Sequence, residues 1–351
     1  MLPVEWPIAA GAADLLVDPA RAAGRDRLPI VRRDLFLDAR ARLSEQERAL
    51  ISAMLGALID QLADEIRLGL PPEFLAHAEP DREHVTLRMW NSGALDRPAL
   101  ISLLMRRAGE QLIGAACRGG RGVDDIGTVE RLVGDSDSAV ASAAMGLSLA
   151  RGRRRDRFGH LGVEYDDLPP AEAQSLVHLT AAAMRLGIVA ASVTIDETLA
   201  AAAERVFARH HPQRRVEGRA HELAESLIAA RGTDDVTIAT LAAEGDAAMV
   251  AALCAVRAAI APQTAWKLLV DDGASGAMLL ARLAGLGRTT AATLVSVLAE
   301  PLLWGDPRDA IILFDRPSSF DVDSAGRWWR LPLAFRDGLI RPGGADGQSF
   351  D

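Results

Sequence analysis

Aromatic side chains are scarce in this chain: they make up 4% of its residues, and Tyr165 is the only tyrosine. A core must therefore be built from Leu, Ala, Val and Ile, and of these alanine and leucine have high helix propensity. Hydrophobic residues make up 49% and charged residues 25% of the chain. That balance is typical of a folded globular protein and excludes a globally disordered chain.

Cysteines and long apolar runs are also few. Cys117 and Cys254 both lie in apolar helical patterns, so we expect two small buried side chains in a reducing compartment. No apolar run reaches the roughly 18 residues that a membrane span needs. The segment Met1–Pro7 has no charged leading region and carries an early glutamate, unlike a signal peptide. We therefore expect a cytoplasmic protein without a membrane span.

Lysine occurs once, at Lys267, and the net charge is −9 with a pI near 5.4. A general nucleic-acid binder needs a basic surface, so this balance argues against that class. A local basic patch stays open, because the run Arg151–Arg157 contains five arginines.

Apolar residues recur at helical spacing along most of the chain. Ser44 and Glu47 form the pattern of a capping box at the clearest helix start, and Met249, Leu253 and Ile260 belong to one apolar stripe. In the second half, helix starts are predicted at or near Pro170, Asp196, Val216, Val236, Asp246, Pro262, Ser275 and Thr289.

We predict an all-α fold of stacked antiparallel helical hairpins in an irregular, HEAT-like α-solenoid superhelix. Composition breaks divide the chain into five predicted segments. They are an N-terminal extension (1–43), an N-terminal helical domain (44–150), an arginine-rich linker loop (151–167), a C-terminal helical repeat-like domain (168–305), and a capping segment with a tail (306–351).

Two groups of motifs carry a family resemblance. The first is Leu168–Glu172, which opens a helix, and the second is the order Leu241–Asp246, Ala251–Leu253 and Ala284–Leu286. Together they resemble the bacterial domain of unknown function 2336 (DUF2336) family over roughly residues 40–305. The resemblance implies an all-helical, repeat-like cytoplasmic protein of no established activity, and it supplies no catalytic residues.

No motif predicts a metal or a cofactor. His210 and His211 are adjacent and point to different sides of a helix, and His221 lies beyond Pro212. The segment Gly285–Thr290 lacks the lysine and the preceding strand of a phosphate loop, so we expect helix C-caps at Gly285 and Gly287.

Four pairs of adjacent aspartates invite a catalytic interpretation. Each pair stands at a predicted helix boundary, where aspartate is favoured as a cap, so we expect capping and predict no catalytic residue. The pairs are Asp124–Asp125, Asp166–Asp167, Asp234–Asp235 and Asp271–Asp272.

Two segments are candidates for partner binding. In the first, Arg153, Arg154 and Arg155 belong to a basic run that we interpret mainly as a solvated loop, with pairing to helix C-terminal carbonyls as the alternative. The second is Arg327–Trp328–Trp329–Arg330, which joins the two residue types that dominate interface hot spots. There, either one tryptophan packs down and the other is half covered, or at least one is exposed as an anchor.

These observations favour a non-enzymatic helical scaffold or regulatory protein that binds another macromolecule, most simply a protein partner. Two alternatives stay open. One is an enzyme whose helical pocket is assembled from scattered residues, and the other is a nucleic-acid-binding regulator that uses Arg151–Arg157.

Overall fold

The computed structural model describes residues 43–75, 82–118, 126–155, 161–188, 193–232, 235–302, 304, 306–332 and 335–336. The predicted extension at 1–43 lies outside them, apart from its last residue. Helices hold 78% of the described residues and no strand occurs among them, so the all-α class is confirmed. The chain divides into two compact units, residues 1–48 and 49–351.

The helices follow one another with short connections. We label them α1 (Glu45–Leu68), α2 (Pro72–Leu75), α3 (Arg82–Asn91), α4 (Pro98–Arg118), α5 (Thr128–Leu132), α6 (Ser138–Arg153), α7 (Pro170–Arg185), α8 (Val193–Phe207), α9 (Val216–Arg231), α10 (Asp235–Ala243), α11 (Ala247–Ala258), α12 (Pro262–Trp266), α13 (Gly273–Leu283), α14 (Arg288–Leu298), α15 (Pro307–Asp315) and α16 (Ser319–Trp329). Short 3₁₀ turns lie at Tyr165–Asp167 and Pro212–Arg214, and a π-helical turn at Lys267–Asp271 continues α12.

Helix starts follow the local sequence signals. The Ser44 hydroxyl accepts the Glu47 N–H at 3.1 Å and the Glu47 carboxylate accepts the Ser44 N–H at 2.7 Å, which is the predicted capping box. The Asp246 carboxylate caps α11 by accepting the Met249 N–H at 3.1 Å. The other starts predicted in the second half lie within three residues of those observed.

The apolar side chains form two cores within residues 49–351. We call them core A, built from α1, α3, the first half of α4, α7 and α8, and core B, built from α5, α6 and α9 to α15. Helix α4 serves both, since Leu100, Leu104 and Ala108 belong to core A and Ile113 belongs to core B.

This division of apolar packing differs from the predicted domains. Helix α6, predicted in the N-terminal domain, packs against α9, and α7, predicted in the C-terminal domain, packs against α3. The chain therefore crosses between the cores three times: within α4, between α6 and α7, and between α8 and α9. Helix α10 likewise packs against α14, so spatial neighbours are separated by several helices, unlike the nearest-neighbour contacts of a regular solenoid.

The residues between α6 and α7 also differ from the predicted linker loop. Helix α6 continues to Arg153, and Arg155 forms an isolated antiparallel bridge with Leu161. Both ends of this stretch are thus held by backbone hydrogen bonds, inside the single compact unit 49–351.

The π-helical turn that follows α12 packs against α13 at very close range. A Cβ atom on Gly276 would lie 2.6 Å from the Leu268 carbonyl oxygen and 2.5 Å from the Asp272 Cβ atom. Only glycine allows that approach.

The cysteines contribute to core packing. Cys254 is buried in core B, and burial raises the pKa of its thiol to about 12, so it is a neutral apolar side chain at physiological pH. Cys117 is half-buried against the same core. None of the described helices is both long and apolar enough to cross a bilayer.

Candidate functional site

The tryptophan pair lies at the end of α16, a helix that begins with a capping box. The Ser318 hydroxyl accepts the Asp321 N–H at 3.2 Å, and the Asp321 carboxylate accepts the Ser318 N–H at 2.9 Å. Hydrogen bonds from the Ser318 hydroxyl and N–H also lower the pKa of Asp321. Because successive residues turn by about 100° in a helix, Trp328 and Trp329 leave the helix on different sides.

The side of α16 that faces solvent carries an apolar and basic stripe. We call Phe320, Arg327, Trp328 and Leu331 the outer stripe, because their spacing places them on one side of the helical path. The Phe320 ring is 72% exposed and Leu331 is 37% exposed, whereas Trp328 is half-buried. Arg327 is exposed and donates to the Ser324 hydroxyl at 3.1 Å.

The inner side of α16 holds the helix against core B. Trp329 packs against that core, and the guanidinium of Arg336 lies 4.5 Å from the centre of its ring. Arg330 donates from Nε to the Ala258 carbonyl oxygen at 3.1 Å, at the end of α11. Trp329 therefore serves as a cap of the core.

Of the two alternatives for the tryptophans, the anchor requires at least one to be largely exposed, whereas both are half-buried. The most exposed ring of the segment is Phe320, which the sequence analysis did not single out. The sequence does contain a signal for it: Phe320 is a large apolar residue two positions after the Ser318 cap, on the side of the helix that also carries Trp328.

The basic run after Leu149 is mostly structural. Arg154 is buried, and its Nε and Nη2 each donate to the Asp167 carboxylate at 2.7 Å. Arg151 forms a second bidentate ion pair: its Nη1 and Nη2 each donate to a carboxylate oxygen of Asp246 at 2.7 Å. The solvated-loop interpretation is therefore wrong for Arg154 and Arg151. Arg153 is an exposed residue of α6, Arg155 is exposed next to it, and Arg157 lies outside the described residues.

The physical reason is that α6 ends at this point. Arg154 Nη1 donates to the Ala150 carbonyl oxygen at 2.7 Å, which satisfies a free acceptor in the last helical turn, as the alternative interpretation expected. A guanidinium held there by the backbone lies next to the 3₁₀ turn that carries Asp167. The Asp166–Asp167 pair is buried. Asp167 caps the turn as predicted, accepting the Glu164 N–H at 3.4 Å, and it also balances the charge of Arg154.

A second buried arginine extends this ion pair into a cluster between the two cores. Arg107, on α4, donates from Nη1 to Glu110 at 2.7 Å and from Nη2 to Glu217 at 2.8 Å. The same Nη2 lies 3.7 Å from Asp167, which links the cluster to Arg154. Sequence patterns did not predict this cluster. Its one local signal is a charged triplet, Arg106, Arg107 and Glu110, inside the apolar stripe of α4.

Electrostatics hold the cluster in its charged form. Burial by itself would raise the pKa of Glu217, but the positive charges of Arg107 and Arg106 outweigh it and bring the pKa to about 2. Burial would likewise lower the pKa of Arg107, yet Glu110, Glu217 and Asp167 together raise it above its ordinary value. Arg106 also lies over the Trp266 ring at 4.5 Å. The carboxylates therefore serve as counter-ions of the buried arginines, which is consistent with a structural role between the two cores.

His210 and His221 lie in packing and surface positions. His210 stacks on Phe207, with ring centres 5.6 Å apart, and a ring nitrogen lies 3.2 Å from the Leu168 carbonyl oxygen. His221 lies 3.6 Å from Glu225. Within the described part of the chain, no three His, Cys, Asp or Glu side chains are grouped so that they could hold a metal ion.

The glycine-rich segment after α13 is a helix-to-helix turn. Gly285 has a φ of 66°, which suits the predicted cap at the end of α13. Gly287 instead precedes the first residue of α14, so the prediction of a C-cap there is wrong. Its N–H donates to the Asp235 carboxylate at 2.7 Å, and Asp235 also accepts from Arg257 at 2.6 Å.

Comparison with known proteins gives one match. The family model described as "Uncharacterised protein conserved in bacteria (DUF2336)" matches residues 123–316. That stretch runs from the residues before α5 to the end of α15 and contains most of core B. A search of curated proteins and a search of solved structures each find no match.

Proposed function

Because this chain belongs to the DUF2336 family of uncharacterised bacterial proteins, we propose its function from its own surface: a non-enzymatic helical scaffold that binds another protein. The observation that carries the proposal is the outer stripe of α16. It brings an exposed phenylalanine, a half-buried tryptophan and an arginine together on a helix that is itself anchored to core B.

The composition of the outer stripe favours a protein partner. Tryptophan and arginine are the residues most enriched among interface hot spots, and exposed apolar groups rimmed by polar residues mark interaction surfaces. Phe320 and Leu331 supply the apolar area, and Arg327 lies beside Trp328 with only the Ser324 hydroxyl as its described partner. Burying a Phe side chain from the exposed state stabilises a complex by about 2 kcal/mol.

The anchoring of α16 also supports this proposal. Trp329 and Arg330 hold the inner side of the helix to core B and to the end of α11. A partner that covers the outer stripe meets a surface that is already ordered, so binding loses less conformational entropy than it does on a mobile segment.

The charge distribution speaks against a phosphate-backbone partner at the basic run. The guanidinium groups of Arg151 and Arg154 are neutralised by Asp246 and Asp167, and the whole chain carries a net charge of −9. Arg153 is the exposed member of the run on α6 itself. Nucleic-acid affinity rises with the number of phosphates that free cations neutralise, and few are offered here.

The experiment is site-specific photo-crosslinking in the native host, with the photoreactive residue placed at Phe320. A matched control carries it at Leu186, which is 76% exposed after the end of α7 and lies outside the outer stripe. We expect a discrete crosslinked protein from position 320 and none from position 186. The captured protein should then bind the purified wild-type chain and lose affinity for the Phe320→Asp variant. Equal crosslinking at the two positions, or unchanged affinity of Phe320→Asp, refutes the proposal.

A further inference from the structure

The structure describes three arginines that are more than nine-tenths buried, and they differ in their partners. Arg107 and Arg154 each meet carboxylates at 2.7–2.8 Å. Arg336, which is 4% exposed, meets none among the described residues. Its partners there are the Thr264 hydroxyl, 2.8 Å from Nη2, and the Trp329 ring.

The Arg336 guanidinium also has one N–H group without a hydrogen-bond acceptor among the described residues. Its Nε is buried and has no hydrogen-bond partner. Thr264 is itself buried and accepts from Arg336, and no described residue accepts its hydroxyl proton. Two donors that no described residue accepts, one N–H and one O–H, therefore lie within one hydrogen-bonded pair of side chains.

A buried positive charge without a counter-ion is strongly unfavourable, since the interior cannot replace the water that it has lost. We propose that Arg336 and Thr264 form a binding site for a small phosphate-class oxyanion. Its oxygens accept from Arg336 Nε and from the Thr264 hydroxyl, and its charge neutralises the guanidinium.

The surroundings limit how the ligand is held. The Trp329 ring covers one face of the guanidinium, so an anion meets the edge of the group, where its N–H bonds point. Trp329 belongs to the inner side of α16, away from the outer stripe, so this proposal is independent of the proposed protein docking.

The test is calorimetric titration of the full chain with inorganic phosphate at constant ionic strength, with acetate as a second arm. Wild type should bind one phosphate, and acetate should bind more weakly. Arg336→Gln removes the charge and should weaken phosphate binding at least about tenfold, which is the scale of one charge-assisted hydrogen bond. The matched control Arg308→Gln, an exposed arginine on α15, should bind phosphate as wild type does.

Thermal unfolding supplies a second readout that does not depend on the Gln variant. Phosphate should raise the melting temperature of wild type and leave Arg336→Met unchanged. Without phosphate, Arg336→Met should be at least as stable as wild type, because it removes an unbalanced buried charge. Absence of a phosphate response in wild type, an equal response in Arg336→Met, or a response to acetate alone overturns the proposal.

Discussion

The ion pair between Arg154 and Asp167 offers the sharpest test of how the two cores are joined. Both side chains are at most 1% exposed, and two hydrogen bonds of 2.7 Å connect them. Removing one partner leaves the other buried without its nearest counter-ion, which costs about 3–5 kcal/mol. We therefore expect Arg154→Met and Asp167→Ala each to lower the free energy of unfolding by that amount.

The double variant distinguishes a pairing effect from simple loss of packing. If the cost of each single change comes mainly from the abandoned charge, the Arg154→Met/Asp167→Ala protein should lose less than the sum, by about 2 kcal/mol or more. Denaturant unfolding followed by tryptophan fluorescence measures all four members of the cycle.

A surface ion pair provides the control. Arg288 and Asp315 lie 3.0 Å apart, but their side chains are 62% and 48% exposed, so breaking this pair should cost no more than about 1 kcal/mol. Single changes at Arg154 and Asp167 that cost as little as this control refute the reasoning. So does a double variant whose loss equals the sum of the single losses.

Three further predictions concern pH, the tryptophans and a glycine. The pKa of Glu217 is about 2, against an ordinary value of 4.5. Its ionised form therefore contributes fully to the free energy of unfolding above pH 4.5, and this contribution is lost as the pH falls towards 2. In denaturant unfolding between these pH values, Glu217→Gln should lose roughly 3 kcal/mol less stability on acidification than wild type. Trp329→Ala should lower the free energy of unfolding by about 2 kcal/mol or more, whereas Trp328→Ala should leave thermal stability nearly unchanged and weaken partner binding by about 2 kcal/mol, as calorimetry with the crosslinked partner measures. Gly276→Ala should destabilise by about 1–3 kcal/mol in the same unfolding assay, because its Cβ meets the fixed carbonyl of Leu268 at 2.6 Å; full stability of this variant contradicts the close packing of α13.

Local sequence information determined the secondary structure and the helix boundaries. The capping box at Ser44 and the cap at Asp246 lie where predicted, because a cap needs only residues within one turn of each other. The repeated apolar spacing likewise predicted helices throughout the second half, because Leu, Val and Ala recur every three to four residues where one face of a helix is buried. The family resemblance rested on the same packing positions and is confirmed.

The pairing of helices was decided by tertiary structure. Periodicity shows that a helix has an apolar face and is silent on which other helix covers it. The crossing of the chain between core A and core B therefore escaped the sequence analysis, as did the role of α4 in both cores.

The charged residues show the same limit most clearly. In the sequence, Arg151 and Arg154 belong to a basic run that looks solvated, and Asp167 and Glu217 are remote acidic residues. Folding brings Asp167 to Arg154 and Glu217 to Arg107, across 13 and 110 positions of the chain. Whether a charge is solvated or buried depends on those long-range contacts, which local spacing does not encode. The sequence by itself determined an all-helical protein of the DUF2336 family. Only the tertiary structure decided which arginines are joined to acids, which are exposed, and which meets no carboxylate among the described residues.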